Sequence, residues 1–451
     1  LLGYNDKLQV FDKRINWESL SGFLRDFSGA RVPGYNDPSF VSVDRNRFIS
    51  FFANSSYTFD NRYTLSLSGK IEQASIFGVD ARLRANQLGS VGFAWNIANE
   101  DFFKSEVINN LKLRGSYGIN GNVKRGITTE SVFRADLSPY GEPILDISVV
   151  GNDNLTQEDN YIANIGLDFA MFKYRLNGSI DYYNRRSENL LADFRTPAAL
   201  GYTSQFVNNG EILNQGIELS LNGDILRAGD FYWNSQLNFT YNKSEVIKFQ
   251  TSTETAAEIL SSPFIQGEEI GALLSYNWAG LSEDGQPQVF DANGDIVGFE
   301  TNILDVNALV NSGSSVPNYF GGFRNTFNYK NFSLGVFLTY KFGHKFRRPS
   351  FNFQDPGFSS LSRHQDLTNV WQEAGDESIT NVARFPTREE FENGLFGNWN
   401  NYYRFSNVLI EDASFIRIRD IYINYKLSNN ALKKLPFDNL EIRFQARNLG
   451  F

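Results

Sequence analysis

Two histidines and several glycine-rich stretches are the parts of this sequence that could belong to a catalytic site. His344 and His364 are the only histidines in the chain, and a hydrolase would need one of them as the general base for its nucleophile. No Gly-x-Ser-x-Gly nucleophile elbow accompanies either histidine. The stretch GINGNVKRG lacks the Gly-Lys-Ser/Thr ending of a phosphate-binding loop. The residues therefore predict neither hydrolysis nor nucleotide chemistry, and we expect the protein not to be an enzyme.

One acidic stretch has the residue types of a metal site. Asp291, Asn293 and Asp295 lie around a glycine in DANGD, and carboxylate and amide oxygens are the ligands that calcium prefers. A calcium loop would continue to a bidentate glutamate, but that position holds Asn302. Asp, Asn and Gly also form ordinary turns, and the sequence favours this interpretation. Calcium is the one cofactor that these residues leave open.

An aromatic segment late in the chain offers rings and a cation that could bind a substrate. Such side chains could stack on sugar rings or on peptide groups, or they could equally pack their own segment onto its neighbours. The sequence does not decide between these two interpretations. The candidate residues are Trp371, Trp399, Tyr402, Tyr403 and Arg404.

The elements that would position such residues are strands, and the stretch 208–242 shows this best. Two runs of alternating apolar and polar residues flank a short polar turn, which is typical of a hairpin with one apolar face. On one face lie Ile217, Leu219, Leu237 and Phe239, and on the other lie Glu218, Asn222, Gln236 and Asn238. A soluble sandwich would bury the apolar face in a core, whereas a membrane barrel would turn it to lipid.

Composition narrows the class of protein and its partners. The chain has 451 residues, of which 15% are aromatic, and no cysteine, so that it contains neither a disulfide nor a thiolate metal site. Mean hydropathy is −0.35, and no apolar run approaches the roughly 18 residues that a membrane helix requires. The net charge of −9 is spread along the chain, which makes nucleic acid an unexpected partner.

The spacing of strands and loops favours the membrane barrel. We predict roughly 13 strands, most about 10 residues long, joined alternately by short turns and long loops, as in outer-membrane barrels. The segment EIGALLSYNWAGL from Glu269 is among the predicted strands. Residues 1–47 are expected to add a strand, around Phe11, Ile15 and Trp17, and a loop, before the barrel portion at 48–451. The long extracellular loops are expected at 121–158, 245–265, 282–315 and 349–407.

One predicted strand changes its alternation midway. Ile416 and Ile418 share one parity, whereas Ile421, Ile423 and Tyr425 take the other. A β-bulge near Asp420 would restore a continuous apolar face. Burial of this strand on both faces is the alternative.

Several phrases of the sequence resemble SusC/RagA-type TonB-dependent transporters of the bacterial outer membrane. The phrases occur in the order and spacing of that family and cover most of the chain after residue 47. They are FFANSSYTFDNRYTLSLSG, SVGFAWNIANEDFF, INNLKLRGSYGINGN, GNDNLTQEDN, IDYYNRRSENLL, NNGEILNQGIELSL, VPNYFGGFRNTFNYKNFSL and ASFIRIRDIYINYKL. The stretch IEQASIFGVDARLRANQLG departs from the family's turn after the first hairpin.

The resemblance implies an incomplete, all-β, antiparallel transmembrane barrel, part of a plugged barrel of about 22 strands. It implies TonB-dependent uptake of oligosaccharides or peptides across the outer membrane, with a SusD-like lipoprotein as a lid and the lipid bilayer around the wall. No plug and no TonB-binding segment are recognisable in this sequence, and we expect it to be part of a longer protein. A non-transporting barrel component of a larger outer-membrane or secretion complex is the alternative, and a soluble β-rich surface adhesin is a third.

With the barrel interpretation, the two faces of the hairpin 208–242 receive an orientation. Ile217, Leu219, Leu237 and Phe239 are expected to face lipid. Glu218, Asn222, Gln236 and Asn238 are expected to face the lumen.

Overall fold

A computed structural model describes most of the chain. The described residues are 2–13, 42–74, 86–122, 131–137, 143–196, 198–202, 204–249, 255–260, 262, 264–350, 364–392, 396–427 and 440–450. They form two compact units, which we describe separately. One comprises 1–95, 114–164 and 185–211, and the other comprises 96–113, 165–184 and 212–451.

Strands dominate both units, and we number them in chain order. They are β1 (Leu2–Lys13), β2 (Ser42–Phe59), β3 (Tyr63–Ala74), β4 (Asn86–Asn96), β5 (Ile108–Asn122), β6 (Val132–Leu137), β7 (Pro143–Val149), β8 (Glu158–Met171), β9 (Leu176–Arg195), β10 (Ser204–Ala228), β11 (Phe231–Phe249), β12 (Ala272–Tyr276), β13 (Trp278–Leu281), β14 (Pro287–Phe290), β15 (Ile296–Val297), β16 (Leu309–Ser314), β17 (Tyr319–Tyr329), β18 (Phe332–Phe342), β19 (Lys345–Arg347), β20 (Ile410–Asp412), β21 (Phe415–Lys426) and β22 (Glu441–Arg447).

The helices are short. They are α1 (Ala256–Leu260), α2 (Arg388–Glu392) and α3 (Phe396–Arg404), with single 3-10 turns at Ile97–Asn99, Ala198–Leu200, Val306–Ala308, Gln365–Asn369, Asp376–Ser378 and Asn407–Leu409. Among the described residues, none of these helices has the length and apolarity needed to cross a bilayer.

Thirteen of the strands form one sheet, which we call the strand wall. Their order in the sheet is β1-β2-β3-β4-β5-β8-β9-β10-β11-β17-β18-β21-β22. The pairs whose register is defined are antiparallel. The all-β, antiparallel architecture predicted from the alternation is therefore confirmed. Of the first predicted strand, Phe11 lies in β1, whereas Ile15 and Trp17 lie outside the described residues.

Hydrogen bonds between side chains of neighbouring strands define the polar face of the wall. Ser220 donates to Asn238 over 3.1 Å, and the Asn234 amide donates to the Asn222 oxygen over 3.0 Å. In the other unit, the Ser68 and Ser90 hydroxyls lie 2.7 Å apart on β3 and β4. Because residues two apart share a face, these contacts fix the side on which each alternating residue lies.

The apolar face of the wall is exposed. Leu65, Phe93, Ile217 and Ile423 have exposed fractions of 45, 47, 44 and 51%. In the part of the chain that the structure describes, no second layer covers these residues, as the core of a soluble sandwich would require. An apolar band facing outward from a strand wall is the arrangement of a membrane barrel.

The strand β21 contains the predicted bulge. Its register against β18 pairs Asp420 with Phe337 but Ile418 with Leu338, so that Arg419 is the extra residue. The residues Ile416, Ile418, Ile421, Ile423 and Tyr425 consequently pair with one parity of β18. The prediction of a bulge near Asp420 is confirmed, and it restores one continuous apolar face.

The strand predicted from Glu269 does not belong to the wall, and this prediction was wrong. The stretch forms β12 and β13, which pair in separate small sheets with β16 and with β14. Leu274, Ser275 and Tyr276 are buried in succession, so that both faces of the segment lie inside protein. A wall strand has one exposed apolar face, and this segment has none.

Strand length differs from the prediction as well. The strands β9, β10 and β11 contain 20, 25 and 19 residues, whereas about 10 residues suffice to cross a bilayer. These strands remain paired beyond the residues in which apolar and polar side chains alternate. Hydrogen bonds from polar side chains stabilise the additional residues. Asn208, for example, donates to the Thr156 carbonyl over 2.9 Å and accepts from the Thr156 N–H over 2.8 Å.

The segments predicted as long extracellular loops contain strands and helices. Residues 121–158 include the hairpin of β6 and β7, which pair in an antiparallel register. Residues 245–265 contain the end of β11 and α1. Residues 282–315 contain β14, β15 and β16, and residues 349–407 contain α2 and α3.

Candidate functional site

A compact assembly of loop segments is one candidate site. We call it the loop domain; its described residues fall within 255–314, 345–350 and 364–412, all in the second unit. It contains two clusters of buried residues. The first cluster is Leu281, Phe299, Val370, Val382, Ala383, Trp399, Tyr403 and Leu409, and the second is Ala256, Tyr276, Val289, Ile303, Ala308 and Tyr402.

The helix α3 joins the two clusters. Trp399 and Tyr403, four residues apart on one helix face, enter the first cluster, while Tyr402 enters the second. The rings of Tyr402 and Tyr276 meet edge to face with centroids 4.8 Å apart. Burial raises the pKa of both tyrosines to about 12. Each hydroxyl is therefore a neutral group within the core.

The structure decides between the two interpretations of these aromatic residues. Trp399, Tyr402 and Tyr403 have exposed fractions of 0, 1 and 1%, so that a substrate cannot stack on their rings in this conformation. They pack the loop domain, and the candidate role in substrate contact is corrected for these three. The aromatic side chains of α3 therefore form part of the core of the loop domain.

The remaining two candidates, Trp371 and Arg404, are only partly buried, and their contact with a substrate stays a prediction. The Trp371 ring lies against Gly285, where a Cβ atom would come within 2.4 Å of the ring, and its indole N–H donates to Glu377 over 3.2 Å. Gly285 has a φ of 74°, so both the turn and the close approach require glycine. The Arg404 guanidinium lies 5.9 Å from the ring centroid of Phe405.

A desolvated arginine ties the end of α3 to two strands. The Arg347 guanidinium, on β19, donates to the carbonyl of Leu274 over 2.7 Å and to the Ser275 hydroxyl over 3.1 Å. It also donates to the carbonyls of Arg404 and Ser406 over 3.4 and 3.3 Å. Burial lowers the pKa of Arg347 to about 10. A cation at the C-terminus of a helix is favoured by the helix dipole.

Two ion pairs brace the rest of the loop domain. Arg384 forms two hydrogen bonds with Glu390, of 2.6 and 2.9 Å, and these hold the pKa of Glu390 at about 2. Arg348 contacts Asp366 over 2.8 and 2.9 Å. Burial acts to raise the pKa of Asp366, but hydrogen bonds from Ser350 and Arg348 outweigh it and lower the pKa. Both carboxylates are committed to structural partners.

The four residues proposed for the lumen lie on the polar face of the wall. Asn222 and Asn238 are placed there by their hydrogen bonds to Asn234 and Ser220. Glu218 and Gln236 have the same parity on β10 and β11, and all four are accessible on the wall. That this face lines a lumen stays a prediction.

A polar cavity of about 430 Å³ adjoins the end of β11. Its charged and amide lining consists of Lys243, Glu245, Glu268, Glu269, Asn311 and Asn318. Lys243 pairs with Glu245 over 3.4 Å, and Asn318 donates to Glu269 over 3.4 Å. Such a cavity can accept hydrogen bonds from hydroxyl or amino groups. In the described parts of the chain, no group of three or more His, Asp or Glu residues is placed to hold a metal ion.

The acidic stretch DANGD forms the turn between β14 and β15. The Asp291 carboxylate accepts the N–H groups of Asn293 and Asp295 over 2.8 and 2.9 Å, and Gly294 has a φ of 88°. These hydrogen bonds, the one from Asp295 first, hold the pKa of Asp291 below its usual value. Turn formation accounts for the residue types, and calcium binding stays an untested prediction.

Sequence reasoning missed the polar cavity and the partly buried ion pairs. The partners Arg348 and Asp366 are 18 residues apart in segments without periodicity, and nothing in the sequence pairs them. A weak signal exists for the cavity, since the alternation of β11 ends in the charged run KSEVIK at 243–248. That run indicates a change of environment but not which residues meet there.

A strand wall with an exposed apolar face, a polar opposite face and a structured loop domain defines an outer-membrane β-barrel protein. Comparison with known proteins agrees. The family described as "TonB dependent receptor-like, beta-barrel" matches residues 3–449. This chain therefore belongs to the TonB-dependent receptor β-barrel family, and its place is the bacterial outer membrane.

Curated relatives are about a quarter identical to the chain over the residues that align. TonB-dependent receptor P3 of Formosa agariphila is 26% identical over 94% of this chain and 44% of its own length. TonB-dependent receptor SusC of Bacteroides thetaiotaomicron is 26% identical over 85% of this chain and 38% of its own length. The chain thus spans less than half of these relatives, and the resemblance to SusC-type proteins is confirmed.

Solved structures give the same result. The structure titled as the RagAB peptide importer in the closed-closed state matches with a TM-score of 0.73 and 25% identity, covering 91% of this chain and 44% of that one. The open-open state of RagAB matches with a TM-score of 0.74 and 23% identity over 100% of this chain and 48% of that one, which concerns the fold alone.

Proposed function

We propose that the protein imports oligosaccharides or peptides across the outer membrane, with energy from TonB and a SusD-like lipoprotein as a lid. The observation that carries this proposal is the likeness to RagAB, a peptide importer, at a TM-score of 0.73. The polar wall supports it as well, because hydroxyl, amide and carboxylate groups suit the passage of a hydrated, hydrogen-bonding cargo.

In this proposal the chain itself breaks no bond. The apolar face of the wall holds the protein in lipid, and the polar face lines the passage with groups such as Glu218, Asn222, Gln236 and Asn238. The loop domain offers accessible polar groups, including the cavity beside Glu268 and Glu269, to cargo and lid. Its buried aromatic cores keep these groups in place. Specificity would reside in these accessible groups and in the lid.

Uptake by living cells tests the proposal. The gene for the full-length protein would be deleted from the bacterium that carries it, and uptake of fluorescent oligosaccharides and fluorescent peptides would be measured with and without a protonophore. Loss of uptake of one cargo class, restored by the wild-type gene and abolished by the protonophore, is the expected result. Unchanged uptake of both classes together with a defect in another envelope complex would favour the non-transporting role.

The lid is tested by purification. An affinity-tagged full-length protein, extracted in detergent, is expected to bring down a lipoprotein in near-equal amount. A protein that runs alone through such a purification, with its uptake activity intact, would contradict the lid but not the uptake.

A further inference from the structure

The turn between β8 and β9 has a backbone that its residue types do not favour. Phe172, Lys173 and Tyr174 have φ values of 53, 56 and 62°. Left-handed backbone is unfavourable for residues with a Cβ atom and is usually left to glycine or asparagine, as single residues. Three bulky residues in succession persist only where the surroundings fix them, and such outliers mark sites where the side chains have a purpose.

Neighbouring elements hold this turn firmly. The Phe172 N–H donates to the Val107 carbonyl over 2.7 Å, and the Tyr174 N–H donates to the Asn109 side chain over 3.2 Å. The Asn177 side chain donates to the Tyr174 carbonyl over 2.9 Å. The strained backbone therefore belongs to a turn that its neighbours hold in place. Glycine would adopt the same φ values at a lower conformational energy.

The turn carries two positive charges without carboxylate partners. The Arg175 guanidinium donates to the carbonyls of Asp224 and Ile225 over 3.0 and 3.2 Å, and it forms no ion pair in the described structure. Lys173 is exposed and likewise has no carboxylate partner among the described residues, including Glu106 on the adjacent turn.

Other short turns neutralise their cations. Arg62 lies 3.2 Å from Asp60, and Lys330 lies 3.9 Å from Asp230. Compared with these two turns, the turn at 172–175 keeps both of its cations without an ion pair among the described residues, which leaves Lys173 available to a partner outside the chain.

The aromatic side chains of the turn are exposed. Phe172 and Tyr174 have exposed fractions of 52 and 61%, and Phe102, on the adjacent turn, has 69%. In outer-membrane barrels the short turns lie at the periplasmic end, next to a belt of aromatic residues in the headgroup region. Aromatic rings favour that region, and lysine or arginine near it attracts anionic lipids.

We propose that the turn Phe172-Lys173-Tyr174 is a binding site for an anionic phospholipid headgroup in the periplasmic leaflet. The Lys173 ammonium group binds the lipid phosphate. The rings of Phe172 and Tyr174 lie on either side of this lysine, at the level of the glycerol and ester groups. Arg175 is a positioning residue, which fixes the turn through the two carbonyls on β10. The charge complementarity, with exposed rings on either side of one unpaired lysine, favours a lipid over a protein partner.

Lipid selectivity of the full-length protein tests this proposal. The protein would be placed in phosphatidylcholine nanodiscs with spin-labelled phosphatidylglycerol or spin-labelled phosphatidylcholine, and the motionally restricted fraction of each label would be measured. One lysine near the surface favours an anionic lipid by about fivefold at its own position, so wild type is expected to enrich phosphatidylglycerol over phosphatidylcholine in the restricted fraction. Added salt should reduce this preference.

Two variants make the test specific. Lys173→Gln is expected to lower this preference for phosphatidylglycerol, whereas the matched control Lys345→Gln, an exposed lysine of the loop domain, should leave it unchanged. Both variants should keep the heat-dependent gel mobility of the folded barrel. The proposal would be overturned if Lys173→Gln kept the lipid preference of wild type. It would also be overturned if wild type bound both lipids equally and the variant lost a periplasmic protein partner. Neither outcome would bear on substrate uptake.

Discussion

The strand wall and the loop domain put their aromatic residues to opposite uses. In the wall, Tyr57 and Phe93 have exposed fractions of 66 and 47%, whereas Trp399 and Tyr402 in the loop domain have 0 and 1%. The first pair is left uncovered by protein, as a surface that faces lipid would be, and the second pair is covered by protein. One chain therefore contains a sheet whose apolar residues point outward and a small domain with a conventional core.

The stability of the two regions has different physical origins. The stability of the wall depends on the alternation of its side chains, because a register shift of one residue moves every following apolar side chain to the polar face. The loop domain depends on close packing, because each missing core group leaves a cavity. Variants of the two regions should therefore fail in different ways.

The largest effect is expected from insertion of one alanine between Tyr422 and Ile423. Because successive side chains of a strand alternate between its faces, the insertion would turn Ile423 and Tyr425 to the polar face of β21, and Asn424 to the apolar face. We expect loss of the folded, heat-modifiable form in the outer membrane. The control Arg419→Ala keeps the register and should assemble normally. Normal assembly of the insertion variant would show that facing does not limit the wall.

Removal of a buried ring should break the loop domain and spare the wall. Trp399→Ala is expected to destabilise the loop domain by about 3 to 5 kcal/mol, measured as protease cleavage between residues 255 and 412 under mild conditions. Trp371→Ala, at a half-buried position, should cost less. If Trp399→Ala abolished the heat-dependent gel mobility of the barrel, the two regions would not be independent in stability.

A charge on the wall should depend on the face that receives it. Leu219→Arg places a cation on the apolar face, which costs about 2 to 4 kcal/mol at the midplane of a bilayer, whereas Ser220→Arg places it among polar groups. The yield of folded protein in the membrane and the midpoint of urea unfolding should both fall for the first variant only. Equal losses in the two variants would refute the facing of β10.

The smallest effect concerns an ion pair of the loop domain. Glu390 has its pKa lowered from 4.5 to about 2 by Arg384, so the pair stabilises the fold above pH 4.5 and loses this contribution as the pH falls towards 2. Glu390→Gln should lower the unfolding free energy of the loop domain by about 1 to 2 kcal/mol at pH 7, after solvent screening. The difference from wild type should vanish near pH 2, and a difference independent of pH would contradict this assignment.

The wall could be predicted from the sequence because its physics is periodic. Alternation at 217–222 and at 233–241 places each residue on a face, and the parity change between Ile418 and Ile421 was enough to locate the bulge. The segment from Glu269 was misassigned since an apolar run has the same appearance in a wall and in a core. Only the burial of Ser275 and Tyr276 on opposite faces distinguishes them.

The candidate site was predictable only in part. The aromatic residues near 399–404 were correctly singled out, but their sequence could not tell whether rings meet a ligand or a core. Arg347 and Arg384 could not be found, because their partners come from segments far apart in a region without a repeat. Long-range contacts of this kind are decided by three-dimensional packing and leave no local pattern.

Separation of lipid from a polar lumen by the wall can be measured directly, because these 451 residues contain no cysteine. Single cysteines at successive positions from 217 to 222, in the full-length protein in bilayers, would carry spin labels, and collision rates with oxygen and with a water-soluble nickel chelate would be compared. Labels at 217, 219 and 221 should collide more often with oxygen, and labels at 218, 220 and 222 should collide more often with the chelate. Reversed alternation, or equal access at all six positions, would contradict the account.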